Sequence, residues 1–167
     1  ALKALGLMEV GNSESSASGA LHLAGISQAG YQDPEALEAL ADSLASKGDY
    51  KSAVRVGLER NKLGFSVSPL QTTDHEKKCA FEIKLSGWAR ETGDIELAYS
   101  ILRPNNLPSA SSSAGEKTRG EALMTLGSDV AMWLEAGDKK MAEGDYEAAL
   151  RIYRQSQEIN RKKYVSG

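Results

Sequence analysis

Three short segments of one design constrain this chain more than any other feature: Lys47-Gly48-Asp49-Tyr50, Thr92-Gly93-Asp94-Ile95 and Glu143-Gly144-Asp145-Tyr146. Five residues after each glycine stands an alanine, Ala53, Ala98 or Ala149. Seven residues before it stands a small residue, Ala41, Ser86 or Gly137, preceded by Leu40, Leu85 or Ala136. Eleven before the first and last glycines stand Leu37 and Trp133. Such a pattern describes a helix hairpin. Glycine accepts the left-handed conformation that ends one helix, and aspartate caps the next. The small residues on either side then lie where two antiparallel helices cross most closely. A single hairpin leaves a face uncovered, so hairpins of this kind stack.

The residues around the turns agree. Asp33-Pro34-Glu35 reads as an N-cap, a first-turn proline and a first-turn acid, followed by Leu37, Leu40, Ala41 and Leu44 at helical spacing. Thr73 with Glu76, and Ser113 with Glu116, have the spacing of capping boxes. The first opens a helix through Phe81, Leu85 and Trp88; the second opens a long stretch through Leu123, Leu126, Val130, Trp133 and Leu134. Strand-like alternation is absent. The expected fold is all-α, a superhelix or solenoid of antiparallel helix hairpins at about 34–61, 74–103 and 116–164, together forming a domain over 34–167. Ahead of it, 1–33 is a small-residue segment with one expected helix at 15–28. The Pro- and Ser-rich stretches 61–73 and 104–115 read as loops.

Composition narrows the function classes. The chain has 167 residues, 41% hydrophobic and 26% charged, which excludes disorder throughout. A formal charge of −3 argues against a nucleic-acid binder. One cysteine excludes a disulfide scaffold, and one cysteine with two histidines is too few for a structural zinc site. No run approaches the ~20 apolar residues that cross a bilayer, and no signal peptide stands at the start. The chain lacks an initial Met and ends abruptly at Gly167, so a segment of a longer protein is expected. Cys79 fits a reducing compartment, cytoplasmic or nuclear.

The hairpin pattern resembles the tetratricopeptide (TPR) repeat. The third copy matches best, with Trp133, Gly137, Gly144-Asp145-Tyr146, Ala149 and Tyr153 at the motif's spacing. The first keeps Leu37, Leu40, Ala41, Gly48-Asp49-Tyr50 and Ala53 but has Gly57 where an aromatic is usual; the second replaces the tyrosine by Ile95. A TPR array repeats about every 34 residues, whereas Gly48, Gly93 and Gly144 are separated by 45 and 51. A looser relative is therefore also admitted. The stretch from Leu85 to Asp94, followed by Ala98, is similar to the helical FAT region of phosphoinositide-kinase-related kinases.

The resemblance implies a non-catalytic protein-interaction scaffold for a peptide or helical partner; the alternative is a structural block of a larger protein such as a FAT-type kinase region. In TPR arrays the first helix of each hairpin lines the binding groove. The matching positions are Glu35, Glu38, Asp42 and Ser46, then Ile83, Gly87 and Arg90, then Leu134, Asp138 and Met141. The lysine, asparagine and arginine clamp of chaperone-binding TPR domains is not found there. The acids favour a basic or amphipathic peptide. The partner-binding residues expected are Glu35, Glu38, Asp42, Leu134, Asp138 and Met141, with an ordinary solvated helix face as the plain alternative.

Chemistry has less support. Asp74, His75 and Glu76 adjoin like a metal cluster, but consecutive residues diverge around a helix start and read better as capping. His22 has no partner at a motif spacing, and Cys79 reads as a buried small residue rather than a nucleophile. No catalytic, metal or cofactor-binding residue is expected, nor a nucleic-acid or membrane partner. Arg151, Arg154, Arg161, Lys162 and Lys163 complement the dipole of a C-terminal helix.

Overall fold

The computed structural model of the chain describes residues 33–63, 72–103 and 113–165. The expected helix at 15–28 and most of both loops lie outside the described residues. Those described form seven helices: α1 (Pro34–Ser46), α2 (Tyr50–Lys62), α3 (Thr72–Glu91), α4 (Ile95–Leu102), α5 (Ala114–Ser128), α6 (Val130–Ala142) and α7 (Tyr146–Val165). The fold class is all-α. None of these helices is long and apolar enough to cross a membrane. The chain divides into two compact units, Ala1–Ser68 and Pro69–Gly167.

The three glycines make the same turn. Gly48, Gly93 and Gly144 have φ of 78°, 81° and 79°, the left-handed region where a Cβ would be strained. At the first turn the Asp49 amide donates to the Leu44 carbonyl and the Gly48 amide to that of Ala45. Asp94 with Ala89 and Gly93 with Arg90 repeat this, as do Asp145 with Lys140 and Gly144 with Met141. Each turn is thus a Schellman motif, closing carbonyls a helix end would leave unpaired. Each aspartate then caps the following helix: Asp49 accepts from the Ser52 amide, Asp94 from Leu97 and Asp145 from Ala148. Asp33 does the same for Ala36, at 3.0 Å.

In the first unit, α1 packs on α2. Leu37, Leu40 and Ala41 of α1 are buried, with Ala53 and Val54 of α2. In the second unit α3 packs on α4 and α5, and α6 on α7. The close crossings fall on the small residues. Ala53, Ala98 and Ala149 are fully buried, and the Ser86 hydroxyl donates 2.9 Å across to the Ala98 carbonyl. The Tyr153 ring lies directly against Gly137, where any Cβ would overlap it.

The stretch from Glu116 through Leu134 is two helices rather than one. Asp129 breaks it, with backbone at φ −81°, ψ 73° and a side chain that accepts from the Met132 amide. The break turns Trp133 inward. Its indole N–H donates to the Leu126 carbonyl at the end of α5, 3.1 Å away, and its ring meets Tyr99 of α4 edge-on at 5.6 Å. The third hairpin is accordingly α6 with α7, and α5 is a separate helix packed on α3. α3 also starts at Thr72, so Thr73 stands inside the helix rather than at its cap.

An ion pair joins α3 to α5 inside the second unit. Arg119 Nη1 lies 2.9 Å from Glu82 Oε2, both side chains largely buried, with Lys78 Nζ 3.9 Å from the other carboxylate oxygen. Removing one member of such a pair strands the other charge. Arg119→Met should cost about 3–5 kcal/mol, and Glu82→Leu added to it should recover most of that loss; denaturant titration of the single and double variants checks this. At the α6–α7 crossing, Ala149→Leu should cost about 1–3 kcal/mol through overpacking. Ala131→Leu, at an exposed site on α6, should change stability by no more than about 0.5 kcal/mol. Equal melting shifts for these two would contradict the assignment of the crossing.

Candidate functional site

α1 presents one apolar and one acidic side. With Leu37, Leu40 and Ala41 turned inward, Glu35, Glu38 and Asp42, spaced by three and four residues, share the other side. Glu35 is exposed, while Glu38 and Asp42 are half-buried. Glu38 is committed within its own hairpin: its Oε2 lies 3.6 Å from Nε of Arg60, a buried arginine near the end of α2. Part of the acidic stripe is therefore neutralised by α2. Ser46 gives its hydroxyl to the Ser43 carbonyl of the same helix.

In the second unit the expected groove positions differ in character. Ile83 is half-buried and Arg90 lies 3.6 Å from Asp129. At Gly87 a Cβ would meet open space. On α6, Leu134 and Met141 are 48% and 46% exposed and bracket Asp138, which accepts a hydrogen bond from the Tyr153 hydroxyl of α7. That bond holds the phenol above its ordinary range, helped by desolvation. Leu134, Asp138 and Met141 thus form one stripe of two apolar side chains around an anchored carboxylate. Beside it runs a cleft of about 310 Å³, with Ile95, Met132 and Ala136 lining it and Arg90, Glu135 and Lys139 adding both signs of charge. A second hollow, of about 340 Å³, is lined by Tyr99, Arg103, Arg151 and Gln155, with Arg151 bidentate on Glu96 at 2.8 and 2.9 Å.

The histidine end of α3 is organised for packing. His75 Nε2 lies 3.3 Å from Glu116 Oε1 and 3.7 Å from Cys79 Sγ. A relay from carboxylate to thiol needs both ring nitrogens, one for each neighbour; here both neighbours crowd Nε2. Cys79 is fully buried, and burial pushes its thiol up, away from the thiolate that nucleophilic attack requires. A Cβ at Gly115 would sit only 3.2 Å from Cys79 Cβ, so α5 closes over the sulfur. Among the described residues no group of three or more His, Cys, Asp or Glu side chains could hold a metal ion. His22 and the side chain of Asp74 lie outside the described residues.

Sequence reasoning missed Arg60, Arg119 and the hydrogen bond between Tyr153 and Asp138. Arg60 and Arg119 stand 22 and 37 residues from Glu38 and Glu82. No local spacing announces such pairs. Compared with known protein families and with curated proteins, the chain matches none.

The Cys79 environment gives a direct test. A disulfide-exchange reagent should modify the thiol only as fast as the protein opens, and at once in denaturant; equal rates in both would refute the burial. The pH sign follows from the upward shifts of Cys79 and Tyr153. The folded chain keeps both protons where the unfolded chain releases them, so stability is full at neutral pH and falls as pH rises through the thiol and phenol ranges. Urea midpoints measured from neutral to alkaline pH should decline, with a shallower slope in Cys79→Ala.

Proposed function

We propose that this chain is a TPR-like helical-repeat scaffold that binds a protein partner and performs no chemistry of its own. The observation that carries the reading is the repetition of a single built turn. At three places a left-handed glycine, a capping aspartate and a buried alanine recur with the same hydrogen bonds. Repeated hairpins of this design serve to hold helix faces out for recognition, and solenoids made from them bind along extended surfaces.

The binding faces in this reading are the first helices of the hairpins. Glu35 and Asp42 supply negative charge on α1; Leu134 and Met141 supply apolar contact on α6, with Asp138 between them. A basic amphipathic helix suits each face taken by itself: on α1 its lysines meet the carboxylates, and on α6 its apolar side lies on the leucine and methionine with a lysine at Asp138. The pairing of Glu38 with Arg60 makes Glu38 a poor probe of binding, because reversing its charge would place two cations together in a partly buried site.

The experiment uses a fluorescent lysine-rich amphipathic peptide and its glutamate-substituted counterpart. Glu35→Lys with Asp42→Lys should weaken binding of the basic peptide about tenfold at low salt, mainly through the on-rate. The difference should shrink at physiological salt, where the screening length is about 8 Å. Leu134→Glu with Met141→Glu should remove the part of the binding that persists at physiological salt, with helix content unchanged. Equal binding of the two peptides, or no effect of either variant, would overturn the reading.

A further inference from the structure

Helix α7 carries an exposed apolar side chain where its geometry gives it no work within the fold. Ala148, Ala149 and Ile152 are buried and define its inner face. At about 100° per residue, Leu150 lies on the far side, and it is 49% exposed. Tyr146, one turn earlier, is 66% exposed. The two side chains lie on neighbouring positions of one face and give it an apolar centre.

The charges around Leu150 say which molecule. Arg151 is turned away, held by both oxygens of Glu96 on α4. The charged residues of the outer face within one turn of Leu150 are Glu147, three residues before it, and Arg154, four after it, both exposed; Arg161 continues the same face two turns beyond Arg154, clear of the contact. Two copies of α7 laid antiparallel about a two-fold axis near Leu150 bring Leu150 against its own equivalent. The same operation sets Glu147 of each copy opposite Arg154 of the other. One apolar contact is thus flanked by two identical ion pairs. An isologous interface requires this self-complementarity, in which each patch meets its own copy. An unrelated basic peptide would find Arg154 opposing it, and an acidic one would meet Glu147. We propose that the outer face of α7 is a homodimer interface, the occupant of the face around Leu150 being α7 of a second copy of this chain. This surface is distinct from the α6 stripe assigned above to a peptide.

Sedimentation equilibrium of the 167-residue chain over a range of concentrations tests the proposal. The wild type should show a monomer–dimer equilibrium that Leu150→Glu abolishes. Glu147→Arg alone places like charges opposite each other twice in the dimer and should raise the dissociation constant about tenfold or more at low salt. Arg154→Glu alone should do the same. The double variant Glu147→Arg with Arg154→Glu restores both pairs in exchanged order and should return the constant to near the wild-type value. These charge variants sit at exposed helical sites, so unchanged circular dichroism confirms that folding is not the cause. A wild type that stays monomeric at every concentration overturns the proposal. So does a dimer in which the double variant is as weak as the two single losses combined, for the charges would then not face each other.

Discussion

The hairpins depend on how closely two helical backbones can approach. Their turns hold only three residues, a helix-ending residue, the left-handed glycine and the capping aspartate, so the helices leave the turn already near one another. Large side chains on the inner faces would force them apart. Ala41 and Ala53, Ser86 and Ala98, and Gly137 and Ala149 are the sequence's answer. At the second crossing the hydroxyl of Ser86 reaches the backbone of Ala98 itself. The third crossing goes furthest, giving up the side chain at position 137 so that the Tyr153 ring can occupy its place. Its phenol oxygen then reaches Asp138 on the solvent side. Backbone proximity, core packing and the form of the exposed stripe on α6 are therefore one arrangement.

Local chemistry was legible and long-range chemistry was not. The caps of α1, α2, α4 and α7 could be read because glycine, aspartate and proline act on the backbone within four residues of themselves. Cys79 could be placed in the core because a free cysteine behaves as a small buried hydrophobe, though it lies well round the helix from Phe81 and Leu85, on the side that α5 covers. The division at Asp129 was hidden, since Leu123, Leu126, Val130 and Trp133 keep helical spacing across it. A lone aspartate in such a run looks like any solvent-facing residue. Only the fold reveals that its carboxylate takes the Met132 amide and begins a new helix. The expected binding residues were legible as positions on helix faces. Their commitments, Glu38 to Arg60 and Asp138 to Tyr153, arise from packing between helices and change what each can offer a partner.

The placement of the two tryptophans has an optical consequence. Trp88 meets Phe81 edge-on at 6.3 Å, and Trp133 is sealed from solvent with its indole N–H on a carbonyl. Both belong to the unit Pro69–Gly167, and the chain has no others. Indole emission therefore reports on the second unit alone, whereas far-ultraviolet dichroism sums the helices of both. The first hairpin, α1 with α2, carries Tyr50 but no indole, so it is silent when excitation is set beyond tyrosine absorption. The two signals, recorded on one sample as it is heated, separate the unfolding of one unit from that of the other without any label, and the gap between their midpoints measures how far the units share a single transition.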